Sequence, residues 1–100
     1  MNSEFSDQEF RLLTENDTKL MSELLAIIKS DLESVISDLT DSDQPFEMIH
    51  KVKLRFSLFG LMDCYHLADK IEKEKDYKQL DKITNCCQTL LLNLNNYEVI

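Results

Sequence analysis

The chain has 100 residues, enough for one domain with a modest core, because a domain of this size buries only about 60–65% of its unfolded surface. Its 43% hydrophobic and 30% charged residues are ordinary globular usage and exclude wholesale disorder, and a single Gly and a single Pro argue against many short strands. A net charge of −8 argues against nucleic acid and anionic lipid as partners.

No apolar run approaches the roughly 18 residues that span a bilayer, so no membrane insertion is expected. The opening Met1-Asn2-Ser3-Glu4-Phe5 lacks the basic start and apolar stretch of a signal peptide, which points to the cytoplasm. Cys64, Cys86 and Cys87 are odd in number and show no metal-ligand spacing. They read as small buried thiols.

Apolar residues recur at three and four, the spacing of amphipathic helices. Ser6 with Glu9 has the form of a capping box and opens a short helix carrying Phe10, Leu12 and Leu13. Asn16 or Asp17 caps a second helix of about 24 residues, roughly 35 Å long. Its apolar residues are Leu20, Leu24, Ile27, Ile28, Leu32, Val35, Ile36 and Leu39.

Thr40 to Pro45 breaks the pattern, with Asp43 as N-cap and Pro45 in the first turn of a third helix that runs to about Phe59. Gly60 marks a helix end, a bend or a close backbone contact. A fourth helix carries Leu61, Cys64, Leu67, Ala68 and Ile71 and ends in the charged run 72–76. A fifth carries Leu80, Ile83, Cys87, Leu90, Leu91 and Leu94, with frayed residues from Asn95 onward. Short connections favour packing of sequence neighbours. The expected architecture is therefore all-α: an antiparallel four-helix bundle with a short leading helix, one domain over 1–100 with its core at about 16–95.

The third helix holds the informative chemistry. Advancing about 100° per residue from Phe46, residues Met48, Phe59, Val52, Phe56 and Ile49 fall within an arc of about 100°, one apolar stripe. His50, Lys53 and Ser57 cluster together, roughly 90–150° from the centre of the stripe and therefore at the surface. Leu54 and Leu58, on the His50 side of the helix, extend apolar surface beside the histidine, either for a neighbouring helix or for a docking partner. Arg55, at the edge of the stripe, should reach solvent.

A neutral imidazole is a competent nucleophile towards phosphorus, and the Lys53 ammonium one turn on would offset phosphoryl charge. The chain has no Gly-rich phosphate loop, so another protein would have to supply donor and metal. His66 is the competing histidine, but Asp69 rather than a lysine follows it at i+3. Lys70, Lys73, Lys75 and Lys78 alternate with Glu72, Glu74 and Asp76 and read as a solvated charged face.

From Ile49 to Glu72 the sequence IHKVKLRFSLFGLMDCYHLADKIE resembles the signature of histidine-containing phosphotransfer (HPt) domains. His50, Val52 and Lys53 match its first part, Gly60 stands ten residues after His50, and Ile71-Glu72 closes it. The likeness extends over about residues 10–94. It implies phosphorylation of His50 by the aspartyl phosphate of a response-regulator receiver domain, then transfer to a second receiver. Lys53 would stabilise the phosphoryl charge. Leu54, Ser57 and Leu58 would meet the partner. A hybrid sensor histidine kinase, in the same polypeptide or another, would stand upstream. No cofactor is implied for this chain, with Mg2+ expected on the receiver. The family glycine after the lysine is Leu54 here, and Arg55 and Phe56 replace the following small residues. That departure leaves open a phosphotransfer-inactive module that only binds a receiver or kinase domain.

Overall fold

A computed structural model describes residues 4–99; Met1 to Ser3, read above for a leader, and Ile100 lie outside the described residues. The fold is all-α, with no strand among the described residues. The five α-helices are α1 (Gln8–Thr14), α2 (Thr18–Asp38), α3 (Pro45–Leu58), α4 (Met62–Glu74) and α5 (Leu80–Asn95). Short 3-10 turns at Leu39–Asp41 and Tyr77–Gln79 follow α2 and precede α5. Helix α2 packs on α3 and α5, α4 packs on the same two, and α1 lies on α2. No helix among the described residues is long and apolar enough to cross a membrane.

The helix starts follow local polar chemistry. Asp17 accepts from the backbone N–H groups of Lys19 (3.0 Å) and Leu20 (3.2 Å), which satisfies two first-turn donors of α2. Two expected caps do not form. The Ser6 N–H, which a capping box needs, is given to the Phe59 carbonyl at 2.8 Å, so α1 starts instead with Asp7 at its N-cap. Asp43 does not cap α3 either: Gln44 takes that position, and its N–H donates to the Ser42 hydroxyl at 3.0 Å. Pro45 stands in the first turn as expected.

The end of α3 explains the lone glycine. Gly60 has φ +77°, and its N–H donates to the Ser57 carbonyl while Leu61 N–H donates to that of Phe56, a Schellman closure. A β-carbon at Gly60 would lie 3.2 Å from the Glu4 carbonyl oxygen. The residue is both the helix stop and the seat for the N-terminal segment.

The core contains Ile49, Val52, Phe56 and Phe59 from the α3 stripe, with Met48 only half-buried. Leu61, Ala68, Ile71, Leu80, Ile83, Cys87, Leu90 and Leu94 are buried as expected of the last two helices. The reading of α2 needs correction. Its buried face is Met21, Leu25, Ile28, Leu32 and Val35, followed by Leu39, whereas Leu20 and Ile27 are exposed. Ile28, Leu32, Val35 and Leu39 are buried as expected; the difference lies in the first half of α2, where Met21 and Leu25 turn inward against α3 and α5 in place of Leu20 and Ile27, and Leu24 and Ile36 are half-buried. Leu12 and Leu13 of α1 are also exposed; only Phe10 and Thr14 of that helix are buried.

Three smaller corrections concern polar and terminal residues. Arg55 is half-buried against Asp31 (3.4 Å), with its Nε covered by the protein. Cys64 and Cys86 are half-buried, and only Cys87 lies in the core, because neighbours on a helix point about 100° apart. Residues 97–99 leave the helix, but the segment expected to fray is anchored through Tyr97. Tyr97 donates its hydroxyl to Asp7 at 2.7 Å and sets its ring edge-on to Phe5, which stacks on Phe59. That bond, then the Arg11 contact, holds the Asp7 carboxyl below its ordinary value despite some burial, while burial and Asp7 together raise the Tyr97 hydroxyl to about 12.

Candidate functional site around His50

His50 and Lys53 stand one turn apart on α3, which the loop at 59–61 joins to α4. That short turn makes the two helices a hairpin and sets their register. His50 and Glu72 each lie eleven residues from Leu61, and Lys53 and Asp69 each lie eight. The structure brings together those two pairs. His50 Nδ1 is 2.6 Å from one oxygen of Glu72, and Lys53 Nζ is 2.6 Å from the other. Lys53 also reaches Asp69 at 3.3 Å, and Asp69 pairs with Lys73 at 2.9 Å.

Burial divides the group. The His50 side chain is 65% exposed, as expected, but that of Lys53 is 11% exposed, which corrects its placement at the surface. Its stem is covered because α4 packs along this side of α3, and its ammonium faces the carboxylates of α4. Of the other residues singled out, Leu54 is 58% exposed, whereas Ser57 and Leu58 are half-buried. The Ser57 hydroxyl donates to the Leu54 carbonyl at 2.9 Å, and Leu58 packs against the core. His66 is exposed, with its ring beside Tyr65.

The electrostatics fix the protonation pattern. Burial pushes the Glu72 carboxyl up, but the hydrogen bonds from Lys53 and His50 outweigh it and hold it below its ordinary value. Asp69 is likewise held low, chiefly by Lys73 and also by Lys53. The Glu72 bond raises Lys53 above the ordinary lysine value, against a smaller effect of burial. An ionised carboxylate only accepts, so the proton of its contact with His50 resides on Nδ1. In the neutral ring that leaves the lone pair on Nε2.

Glu72 was hidden in the charged run 72–76, where alternating glutamate and lysine look like any solvated face. A recess of about 380 Å³ adjoins His50 and Glu72 and is lined also by Phe46, Glu47, Lys51 and Lys75. The Lys75 ammonium lies 4.8 Å over the Phe46 ring. Lys51 and Lys75 therefore supply cationic charge beside the imidazole, while the ammonium of Lys53 is matched by two carboxylates.

The ion pairs give a pH-dependent stability. Carboxyls held low in the folded chain stabilise it above their unfolded values, and that contribution is lost as pH falls through the folded values. A lysine held high stabilises below its unfolded value and loses the contribution as pH rises through the folded one. The pairing therefore acts between the ordinary carboxylate and lysine ranges. Lys53→Ala lowers the urea midpoint at pH 7, and the gap from wild type narrows as pH falls below about 4. Equal midpoints at pH 7 would show that the pairing adds nothing.

Comparison of this chain with family models, curated proteins and solved structures finds no match. The fold and the site thus define an all-helical protein with a histidine presented on a carboxylate between two helices.

Proposed function

We propose that this chain is a cytoplasmic phosphorelay carrier of the HPt type, accepting a phosphoryl group on His50 from one receiver domain and passing it to another. The observation that carries this reading is the exposed imidazole whose Nδ1 is tied to Glu72 at 2.6 Å, which directs the nucleophilic lone pair of Nε2 away from the pair. Nε2 attacks the phosphorus of an aspartyl phosphate. The bond from phosphorus to the acyl oxygen breaks, the aspartate carboxylate leaves, and the ring holds the phosphoryl group on Nε2 while its proton stays on Nδ1, hydrogen-bonded to Glu72. Attack by a second aspartate breaks the P–N bond and restores the neutral ring. Lys51 and Lys75 offset phosphoryl charge, and Lys53 acts by holding Glu72 in place. Receiver domains and a hybrid sensor kinase are the corresponding partners, and the receiver brings its own Mg2+.

Incubation with a receiver domain carrying labelled phosphate tests the proposal. The chain gains a label that is stable in base and lost in acid. One observation favours the second reading, a module that only binds: Leu54, in place of the family glycine, projects 58% exposed one turn from His50. Binding of the receiver without labelling would establish that reading, and absence of binding would remove both.

A further inference from the structure

Three side chains form an aromatic corner beside His50. Phe46 stands in the first turn of α3, one turn before His50 on the same side of the helix. Tyr77, in the turn that precedes α5, sets its ring edge-on to Phe46, with centroids 4.9 Å apart. Glu74 ends α4, and Lys75 follows it in the left-handed conformation (φ +53°), a place more often held by glycine. From there the Lys75 ammonium lies 4.8 Å over the Phe46 ring. Phe46, Lys75 and His50 line the same recess of about 380 Å³. On the reading of His50 as a phosphoryl acceptor, we propose that Lys75 is the cation that meets the bound phosphoryl group and that Phe46 is its positioning residue.

The other two lysines near the imidazole are less suited. The Lys53 ammonium is 2.6 Å from Glu72 and 3.3 Å from Asp69, and its side chain is 11% exposed. It can meet a phosphoryl group only by giving up those carboxylates. Lys51 is exposed but follows His50 directly in sequence, so it projects about 100° away around α3. The Glu47 carboxylate, on the rim of the recess, opposes a phosphoryl dianion, and Glu72 is already matched by Lys53 and His50. A lysine loses rotamer freedom when it is fixed, and the Phe46 face offsets part of that cost before any phosphoryl group arrives. Because the ring carries no net charge, the Lys75 ammonium keeps its full charge for the anion.

No partner protein is needed for the test. Potassium phosphoramidate phosphorylates the folded chain: Nε2 attacks phosphorus, the P–N bond of the reagent breaks, and ammonia leaves. Phosphorus NMR then follows the phosphoryl group on His50, assigned by its loss in His50→Gln, between about pH 5.5 and 8.5, where such a group loses its second proton. An ammonium about 5 Å away favours the dianion and lowers the midpoint of that titration by roughly 0.5 in pH. The midpoint therefore rises by about 0.5 in Lys75→Met and by less in Phe46→Leu, which sets the ammonium loose. Lys75→Arg keeps the parent value, since a guanidinium also stacks on an aromatic face. Lys51→Met moves the midpoint less than Lys75→Met does. An unchanged midpoint in Lys75→Met or Phe46→Leu overturns the proposal, as does a larger shift in Lys51→Met; each of these leaves His50 standing as the acceptor. Absence of a His50 signal overturns the proposal together with that role. Lys75 is exposed, so Lys75→Met decides the matter even if Phe46→Leu loosens the start of α3.

Discussion

His50→Gln abolishes labelling by a phosphorylated receiver and leaves the fold standing. The variant is well suited to the question, because the glutamine amide can still donate to Glu72 while offering no nucleophilic nitrogen. The side chain is 65% exposed, so little packing is lost, and substitutions at such sites shift stability by about 0.5 kcal/mol or less. A circular dichroism melt alongside the labelling assay separates loss of chemistry from loss of structure. Label that persists in His50→Gln would move the acceptor elsewhere in the chain. Glu72→Gln makes the complementary case. It keeps His50 but weakens the bias that holds the proton on Nδ1, so labelling slows by roughly tenfold or more, the scale on which removing an imidazole's orienting partner acts at metal sites. A rate equal to that of the parent chain would leave Glu72 with a structural role alone.

Phe56→Ala carries the largest expected cost in stability. The ring is fully buried on α3, and its removal loses transfer free energy and leaves a cavity, together about 3–5 kcal/mol. A domain of this size holds only about 5–15 kcal/mol in total. The melting temperature should fall by about 15–30 °C. Leu54→Ala, two residues earlier on the same helix, removes an exposed side chain and should cost about 0.5 kcal/mol or less. Thermal melts of the two variants therefore test the orientation of α3 directly; similar losses from both would mean that the buried stripe has been misassigned.

Helix orientation was legible where one apolar face stood alone. On α3, Ile49, Val52, Phe56 and Phe59 share a narrow arc and are all buried. On α2 two overlapping arcs compete, one through Leu20, Leu24 and Ile27 and one through Met21, Leu25 and Ile28, and only packing against two other helices selects the second. Local caps failed where a distant group intervened: the Phe59 carbonyl takes the Ser6 N–H that a capping box requires. At the site, exposure of His50 followed from its angle alone. Burial of Lys53 did not, because the angle gives distance from the core stripe and says nothing of a neighbour packed against another side of the helix. Glu72 was accessible through hairpin register, since it lies as far beyond Leu61 as His50 lies before it. Composition and charge alternation hid it, because they carry no information about pairing across 22 residues.

The hydroxyl contact from Tyr97 to Asp7 has a practical consequence for handling this molecule. It brings both ends of the described chain to one corner, against Phe59. A tether or dye attached at an exposed described residue of these segments, Glu4 or Glu98, departs from near that corner, roughly 13 Å along α3 from His50 at about 1.5 Å per residue. Immobilisation on a sensor chip by this route holds the molecule from beside the end of α3 and keeps the imidazole presented to whatever flows past.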